Sequence, residues 1–301
     1  MKVTALTDIP PQPPGEARPR RIAIGTFDGV HVGHREVIRG NDTVLTFDPH
    51  PQAVIHPDAA PKLVMPFPIK RDLIAGLGVQ ELVVIPFDRE FASRSAEEFV
   101  EEVLIAQLGA VSVSVGENFR FGQRARGTPE FLAARDEFET RVVPLVEVAG
   151  ETVSSSQIRG LVAAGEVEKA AQFLGGPFML EGEVVPGDGR GRELGMPTAN
   201  IVPDDRLVSP GHGVYAAWAH GHPAAVNVGV RPMFETGRGL LVEAYLIDFE
   251  GDLYGQTLRV AFLERMRGEK RFESVEALKE QMWGDVEQAR EICARARPDA
   301  A

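Results

Sequence analysis

The spacing of apolar residues along this chain changes character once, near residue 176. Before that point, short β-branched runs alternate with stretches of helical spacing. Ile22 to Ile24, Val44 to Phe47, Leu82 to Ile85, Val111 to Val115 and Val142 to Val146 read as buried strands. Between and after them, His34 to Asp42, Ile69 to Leu77, Ser95 to Leu108, Thr128 to Ala134 and Val167 to Leu174 read as helices. Ser95-Ala96-Glu97-Glu98 supplies a start signal for one of these and Gly109 its stop. Pro10 to Arg20 is a proline-rich, extended lead-in. Strands alternating with helices predict a doubly wound parallel α/β sheet, whose ligands sit beyond the C-terminal ends of the strands.

After Gly175-Gly176-Pro177 the strands follow one another without helices between them. Phe178 to Val185, Val214 to Ala219, Ala224 to Val228, Leu240 to Ile247 and Thr257 to Phe262 read as strands. Gly221-His222-Pro223 and Glu250-Gly251-Asp252 are turn signals. This pattern predicts an antiparallel barrel. A terminal helix opens at Ser274, and Val275, Leu278, Met282, Val286, Ala289, Ile292 and Ala296 give it one apolar stripe to lay on the barrel. The chain has 301 residues, enough for two domains with cores of their own, here 1–176 and 177–301.

Composition narrows the function classes. With 44% hydrophobic and 25% charged residues, the chain reads as a globular protein, and no apolar run approaches the ~20 residues of a membrane span. Met1 to Arg21 lacks the apolar centre of a signal peptide, so a cytoplasmic location is expected. A net charge of −12 argues against a nucleic-acid surface, yet leaves room for nucleotides that arrive with Mg²⁺. The single cysteine, Cys293, falls in the terminal helix and reads as a small apolar packing residue.

The chemistry concentrates where the first strand ends. Gly25-Thr26-Phe27-Asp28-Gly29-Val30-His31-Val32-Gly33-His34 turns through glycines into two histidines three apart. A helix starting there would offer backbone N–H groups and a positive dipole to a phosphate. The histidines could steady charge on a phosphoryl group in flight. A second candidate region begins at Gly187-Asp188-Gly189-Arg190-Gly191-Arg192, which fails the dinucleotide fingerprint and fits a phosphate-covering loop. Pro197-Thr198-Ala199-Asn200 after it reads, on its own, as a turn. Its Thr198 hydroxyl and Asn200 amide oxygen are hard ligands suited to one Mg²⁺. Glu243 lies in a mostly apolar strand, as an outward-facing residue or as a carboxylate with a task. Ser154-Ser155-Ser156-Gln157-Ile158-Arg159 taken alone is a capped helix start with a solvated arginine.

From about residue 20 to about 290, the chain resembles the bacterial bifunctional riboflavin kinase/FMN adenylyltransferase family (FAD synthetase). The Gly25–His34 stretch is similar to that family's nucleotide-binding motif, with Thr26 where Asn is usual. Gly195-Met196-Pro197-Thr198-Ala199-Asn200 is similar to its kinase motif, and the segment after Glu243 to its barrel sequence. The resemblance implies a Rossmann-like nucleotidyltransferase domain followed by a riboflavin kinase barrel with a terminal helix. It implies His31 and His34 as catalytic groups and Glu243 as base for the riboflavin 5′-hydroxyl. ATP would be held by Gly25, Phe27, Asp28, Gly33, Ser155, Ser156, Arg159, Gly187 and Gly191. Flavin would meet Asn118, Asp48 and His50, and Mg²⁺ would meet Thr198 and Asn200. The expected reactions phosphorylate riboflavin to FMN and then adenylylate FMN to FAD and pyrophosphate. Expected partners are small molecules alone, with neither nucleic acid nor membrane, and the sequence leaves the oligomeric state open. Two rivals stand: a nucleotidyltransferase for another phosphorylated small molecule, which leaves Thr198, Asn200 and Glu243 unused, and a non-enzymatic flavin or nucleotide-binding regulator.

Overall fold

The computed structural model describes residues 1–13, 15–187, 189–230 and 240–296. Asp188 of the glycine-rich loop lies outside the described residues. The chain forms two compact units, residues 1–61 with 67–154, and residues 62–66 with 155–301.

The first unit is built on a six-stranded, all-parallel sheet. Its strands are β1 (Lys2–Ala5), β2 (Arg20–Ile24), β3 (Thr43–Asp48), β4 (Glu81–Pro86), β5 (Ala110–Gly116) and β6 (Glu139–Val143). They lie in the order β1-β4-β3-β2-β5-β6. The β-branched runs of β2 and β3 are buried as their composition demands: Ile22, Val44 and Leu45 have no exposed surface. Helices α1 (Val32–Ile38), α2 (Pro51–Ile55), α3 (Phe67–Gly76), α4 (Arg89–Ala92), α5 (96–107) and α6 (Pro129–Ala133) connect them. α5 starts on a reciprocal capping box: the Ser95 hydroxyl accepts from Glu98 N at 3.1 Å, and the Glu98 carboxylate accepts from Ser95 N at 2.7 Å. From Phe99 onward it winds in wider π-type turns, a departure from the α-helix expected there.

Two strands of this sheet differ from expectation. The sequence does not predict β1, because four residues before a proline-rich segment carry little pattern. It exists because it pairs with β4, and Thr4 Oγ1 donates to buried Glu81 at 3.1 Å. Arg20 Nε donates to the same carboxylate at 3.0 Å. Burial works to raise the pKa of Glu81, but the hydrogen bond and charge of Arg20 prevail and hold it below the ordinary carboxylate value. β6 begins at Glu139 rather than Val142. The apolar run at 142–146 straddles the end of an edge strand, and Val142 and Leu145 are exposed.

The second unit is a closed antiparallel barrel in the order β10-β13-β12-β11-β14-β9. Its strands are β9 (Phe178–Val185), β10 (Ala199–Pro203), β11 (Gly213–Ala219), β12 (His222–Val230), β13 (Leu240–Leu246) and β14 (Thr257–Arg267). A short ribbon, β7 (Glu147–Val148) with β8 (Glu151–Thr152), precedes it in the chain and belongs to the first unit. β10 is the strand that sequence pattern missed, since Pro197-Thr198 reads as a turn. The structure corrects this: Leu194-Gly195 form the turn, while Ala199 and Asn200 already belong to the strand, which pairs with both β9 and β13 and closes the barrel.

Helices α7 (Ser155–Ala164), α8 (Val167–Leu174) and the single-turn α9 (Arg190–Glu193) precede and interrupt the strands, and α10 (Val275–Arg295) follows them. α9 puts one helical turn inside the Gly187–Arg192 stretch expected to be a loop. The apolar stripe of α10 is buried in its C-terminal half at Val286, Ala289, Ile292 and Cys293. Val275 at the other end is 55% exposed. Cys293 packs as expected, its thiol donating to the Ala217 carbonyl at 3.3 Å.

α8 buries Val167, Ala170, Phe173 and Leu174 in the second unit, and Glu168 accepts from Arg265 N at 3.3 Å. Burial of each large apolar side chain contributes roughly 1.5–3 kcal/mol. A fragment starting at Ser155 should therefore melt several degrees higher than one starting at Phe178. Equal midpoints in a thermal scan would show that α8 adds nothing to the barrel.

Candidate functional site

In the first unit, β2 delivers the chain into a strained turn. Phe27 and Val30 have φ of +48° and +41°, positions that a bulky or β-branched residue rarely adopts. Such residues cost on the order of 1–3 kcal/mol each and persist only where the surroundings hold them. Two donors converge on the Thr26 carbonyl: Thr46 Oγ1 at 3.2 Å and Lys70 Nζ at 3.3 Å. His31 then caps α1, its Nδ1 accepting from His34 N at 3.2 Å. The remaining proton of a neutral His31 ring is therefore on Nε2.

The two imidazoles stack, with ring centroids 3.5 Å apart, and Phe27 meets His34 edge-on at 5.4 Å. Gly33 permits this, because a Cβ there would sit 3.3 Å from the His31 ring. Burial, with Arg35 adding to it, pushes the His31 pKa down to about 4. Burial also drives His34 well below the ordinary histidine value, with His31 and Lys70 adding to the effect. Both rings are neutral at pH 7, so they act as hydrogen-bond donors and not as cations. His34 Nδ1 is enclosed without a hydrogen-bond partner.

A cavity of about 900 Å³ opens at this end of the sheet. Gly25, Phe27, His34, His50 and Asn118 line it. His31 is 6% exposed and sits behind His34 rather than on the wall. Gly33, Asp28 and Asp48 also stand outside the wall, although the charges of Asp28 and Asp48 act on Lys70. The far side of the cavity is aromatic, where Phe47, Phe87, Phe91, Phe99 and Phe121 form a run of ring contacts between 5.3 and 6.3 Å. Neither this wall nor Lys70 is marked in the sequence. The five phenylalanines are spread over β3, α4, α5 and two loops, and Lys70 looks like any helical lysine. Ser155, Ser156 and Arg159 stand on α7, which belongs to the second unit.

The second unit holds a cavity of about 870 Å³. Along β13, Val242, Ala244 and Leu246 are buried in the barrel, while Leu241, Glu243 and Tyr245 face the cavity. By period-two alternation the Glu243 side chain points out of the barrel core and into this cavity. Register places Asn200 of β10 beside it on one side and Asn227 of β12 on the other. Directly paired residues share a sheet face. Asn227 Nδ2 donates to Glu243 Oε2 at 3.3 Å. Asn227 was not singled out in the sequence, although it is a polar residue in the apolar run Ala224 to Val228.

Thr198 and Asn200 line the same cavity with Gly187 and Gly191. A Cβ at Gly187 would overlap the Asn200 amide, and one at Gly191 would meet the Met196 carbonyl and approach Thr198 Oγ1 to 3.1 Å. The glycine-rich loop is therefore pressed onto these two oxygen donors. Among the described residues no group of three His, Cys, Asp or Glu could hold a metal. The donors here are a hydroxyl, an amide and one carboxylate. This fits a hard ion that keeps water and substrate oxygens in its shell. On the opposite side, Asp285 of α10 accepts from Arg267 at 2.7 Å and from Gln281 at 2.9 Å, which ties the helix to β14 beside the cavity.

Comparison with known proteins assigns one family model to each half of the chain. Residues 14–157 match the family model described as FAD synthetase, and residues 174–293 match that described as riboflavin kinase. A bifunctional riboflavin kinase/FMN adenylyltransferase of Listeria monocytogenes is 34% identical over 91% of this chain and 92% of its own. The Escherichia coli protein of the same description is 34% identical over 92% of this chain and 94% of its own. A crystal structure described as a macrolide-efflux protein from Streptococcus pneumoniae is 30% identical and superposes with a TM-score of 0.84, covering 96% of this chain and 99% of that one. Among the described residues no helix is long and apolar enough to cross a membrane.

Proposed function

The chain belongs to the bifunctional riboflavin kinase/FMN adenylyltransferase family, and on that premise we propose how its two cavities divide the chemistry. It is an enzyme with both catalytic units of that family. The second unit phosphorylates riboflavin and the first adenylylates the FMN so formed. The observation that carries this is the row Asn200, Glu243 and Asn227 across three adjacent strands, opening on the same cavity as Thr198.

In the kinase unit, Glu243 takes the proton of the riboflavin 5′-hydroxyl as that oxygen attacks the γ-phosphorus of ATP and ADP departs. Asn227 holds one Glu243 oxygen and so orients the carboxylate. Thr198 and Asn200 would hold Mg²⁺, which when bound neutralises phosphate charge. Gly187 and Gly191 let the loop backbone close over the phosphates. In the adenylyltransferase unit, an FMN phosphate oxygen attacks the α-phosphorus of a second ATP and pyrophosphate leaves. His34 donates to the phosphoryl oxygens, backed by His31. Gly25, Phe27, Asp28 and Gly33 shape the nucleotide end. His50, Asn118 and the phenylalanine wall receive the flavin, with Asp48 nearby. The boundary between the activities lies at 176, and the protein works in the cytoplasm on small molecules.

Purified protein incubated with riboflavin, ATP and Mg²⁺ should yield FMN first and FAD later. A nucleotidyltransferase for another phosphate would leave riboflavin untouched, and a regulator would bind flavin without turnover. Either result would overturn the reading.

A further inference from the structure

We propose that Lys70 is a positioning residue for adenylyl transfer, fastening the strained turn that carries the two histidines and setting a positive charge beside His34. The proposal rests on the adenylyltransferase reading of the first unit.

Lys70 comes from α3, more than thirty residues after the motif it serves. Its ammonium donates to the Thr26 carbonyl at 3.3 Å, the oxygen that Thr46 also holds. Thr26 immediately precedes Phe27, the first of the positive-φ residues. Arg35 Nε holds the far end of the turn by donating to the Val30 carbonyl at 3.1 Å, so Lys70 secures the Thr26 end, and its loss lets Phe27 relax toward ordinary backbone angles and moves the His34 ring off the cavity wall. The interaction uses a carbonyl and not a side chain, so it is the same whether position 26 is Thr or Asn.

Charge is the second part of the role. The groups that bear on His34 are His31 from its own helix and Lys70 from α3. Arg35 bears on His31, and Asp28 and Asp48 bear on Lys70. Burial lowers the Lys70 pKa, and the two carboxylates oppose that and favour the ammonium. The ammonium in turn opposes a proton on His34. A neutral His34 keeps an N–H to donate and adds no counter-charge that would hold the leaving pyrophosphate.

Two variants of the full chain separate fastening from charge. Lys70→Met removes both. Lys70→Gln removes the charge and keeps a hydrogen-bond donor, on a side chain one bond shorter. The measurements are kcat and KM for FAD formation from supplied FMN, the rate of riboflavin phosphorylation, and the His34 ring titration followed by NMR. Small misplacements of reacting groups cost up to ~10²-fold in rate. Lys70→Met should lower adenylylation kcat by about tenfold to that limit, with riboflavin phosphorylation within about twofold of wild type. The His34 titration should move to higher pH in both variants, and Lys70→Gln should lose less kcat. Normal adenylylation in either variant overturns the proposal. So does lost adenylylation with an unmoved His34 titration, the mark of a purely structural lysine. If Lys70→Met does not fold, Lys70→Gln carries the same readouts. A wild-type protein that makes FMN but no FAD overturns the underlying reading instead.

Discussion

His34→Ala should lower FAD formation from FMN by on the order of 10²–10³, the usual effect of deleting one positioned donor at a transition state. Its ring is on the cavity wall and neutral, so the loss falls on kcat more than on nucleotide binding. His31→Ala should cost as much catalysis for a different reason. His31 supports the His34 ring by stacking and caps α1, so its loss also removes about 1 kcal/mol of helix stability. Asn is itself a good cap, and His31→Asn should restore the melting temperature without restoring the reaction. If His31→Asn recovers both, His31 is a cap and nothing more. Riboflavin phosphorylation should be unaffected in all three variants, since Glu243, Thr198 and Asn200 lie in the other unit. A pH dependence follows as well. The His31 imidazole has its pKa lowered to about 4, so adenylylation should not fall through the ordinary histidine range near pH 6.5. A rate that drops tenfold between pH 7 and pH 6 would contradict neutral rings held in reserve.

The sequence carried most of the fold because the two periodicities differ so strongly. In the first half short apolar runs, as at Ile22–Ile24 and Val44–Phe47, are separated by helical spacing, and after residue 176 the strands follow one another with only turn signals between them. What escaped was structure that only pairing creates. β1 and β10 are short and weakly patterned, and each is held by a neighbour far along the chain, β4 in one case and β9 with β13 in the other. The sites divide the same way. His31, His34, Thr198 and Asn200 are close in sequence to the turns that present them, and so could be read. Lys70 and Asn227 act across 44 and 16 positions, and nothing local marks them. The departure at position 26 is explained by the structure in similar terms. The fold grips the carbonyl of Thr26, which any residue has.

Glu243→Gln is the substitution with the largest expected effect on the kinase step. A hydroxyl nucleophile gains about 10²–10⁴ in rate from a positioned base as its proton leaves. Gln keeps the shape of the side chain but cannot take the proton. It also presents an NH₂ group where the Asn227 amide now donates to a carboxylate oxygen 3.3 Å away. Asn227 can rotate its own amide to answer with an oxygen, so folding and riboflavin binding should change little while turnover collapses. Asn227→Ala offers the matching control, because it leaves the base in place and removes only its orientation. It should lower kcat by a smaller factor, with KM nearly constant. FAD formation from supplied FMN should be near wild type in both variants, since that nucleophile is already an ionised phosphate and binds in the other unit. Normal riboflavin phosphorylation by Glu243→Gln would reduce Glu243 to a wall residue of the cavity. Loss of both reactions in a folded variant would mean that the two units do not act independently. A deeper loss in Asn227→Ala than in Glu243→Gln would move the base to another group and leave Glu243 as its partner.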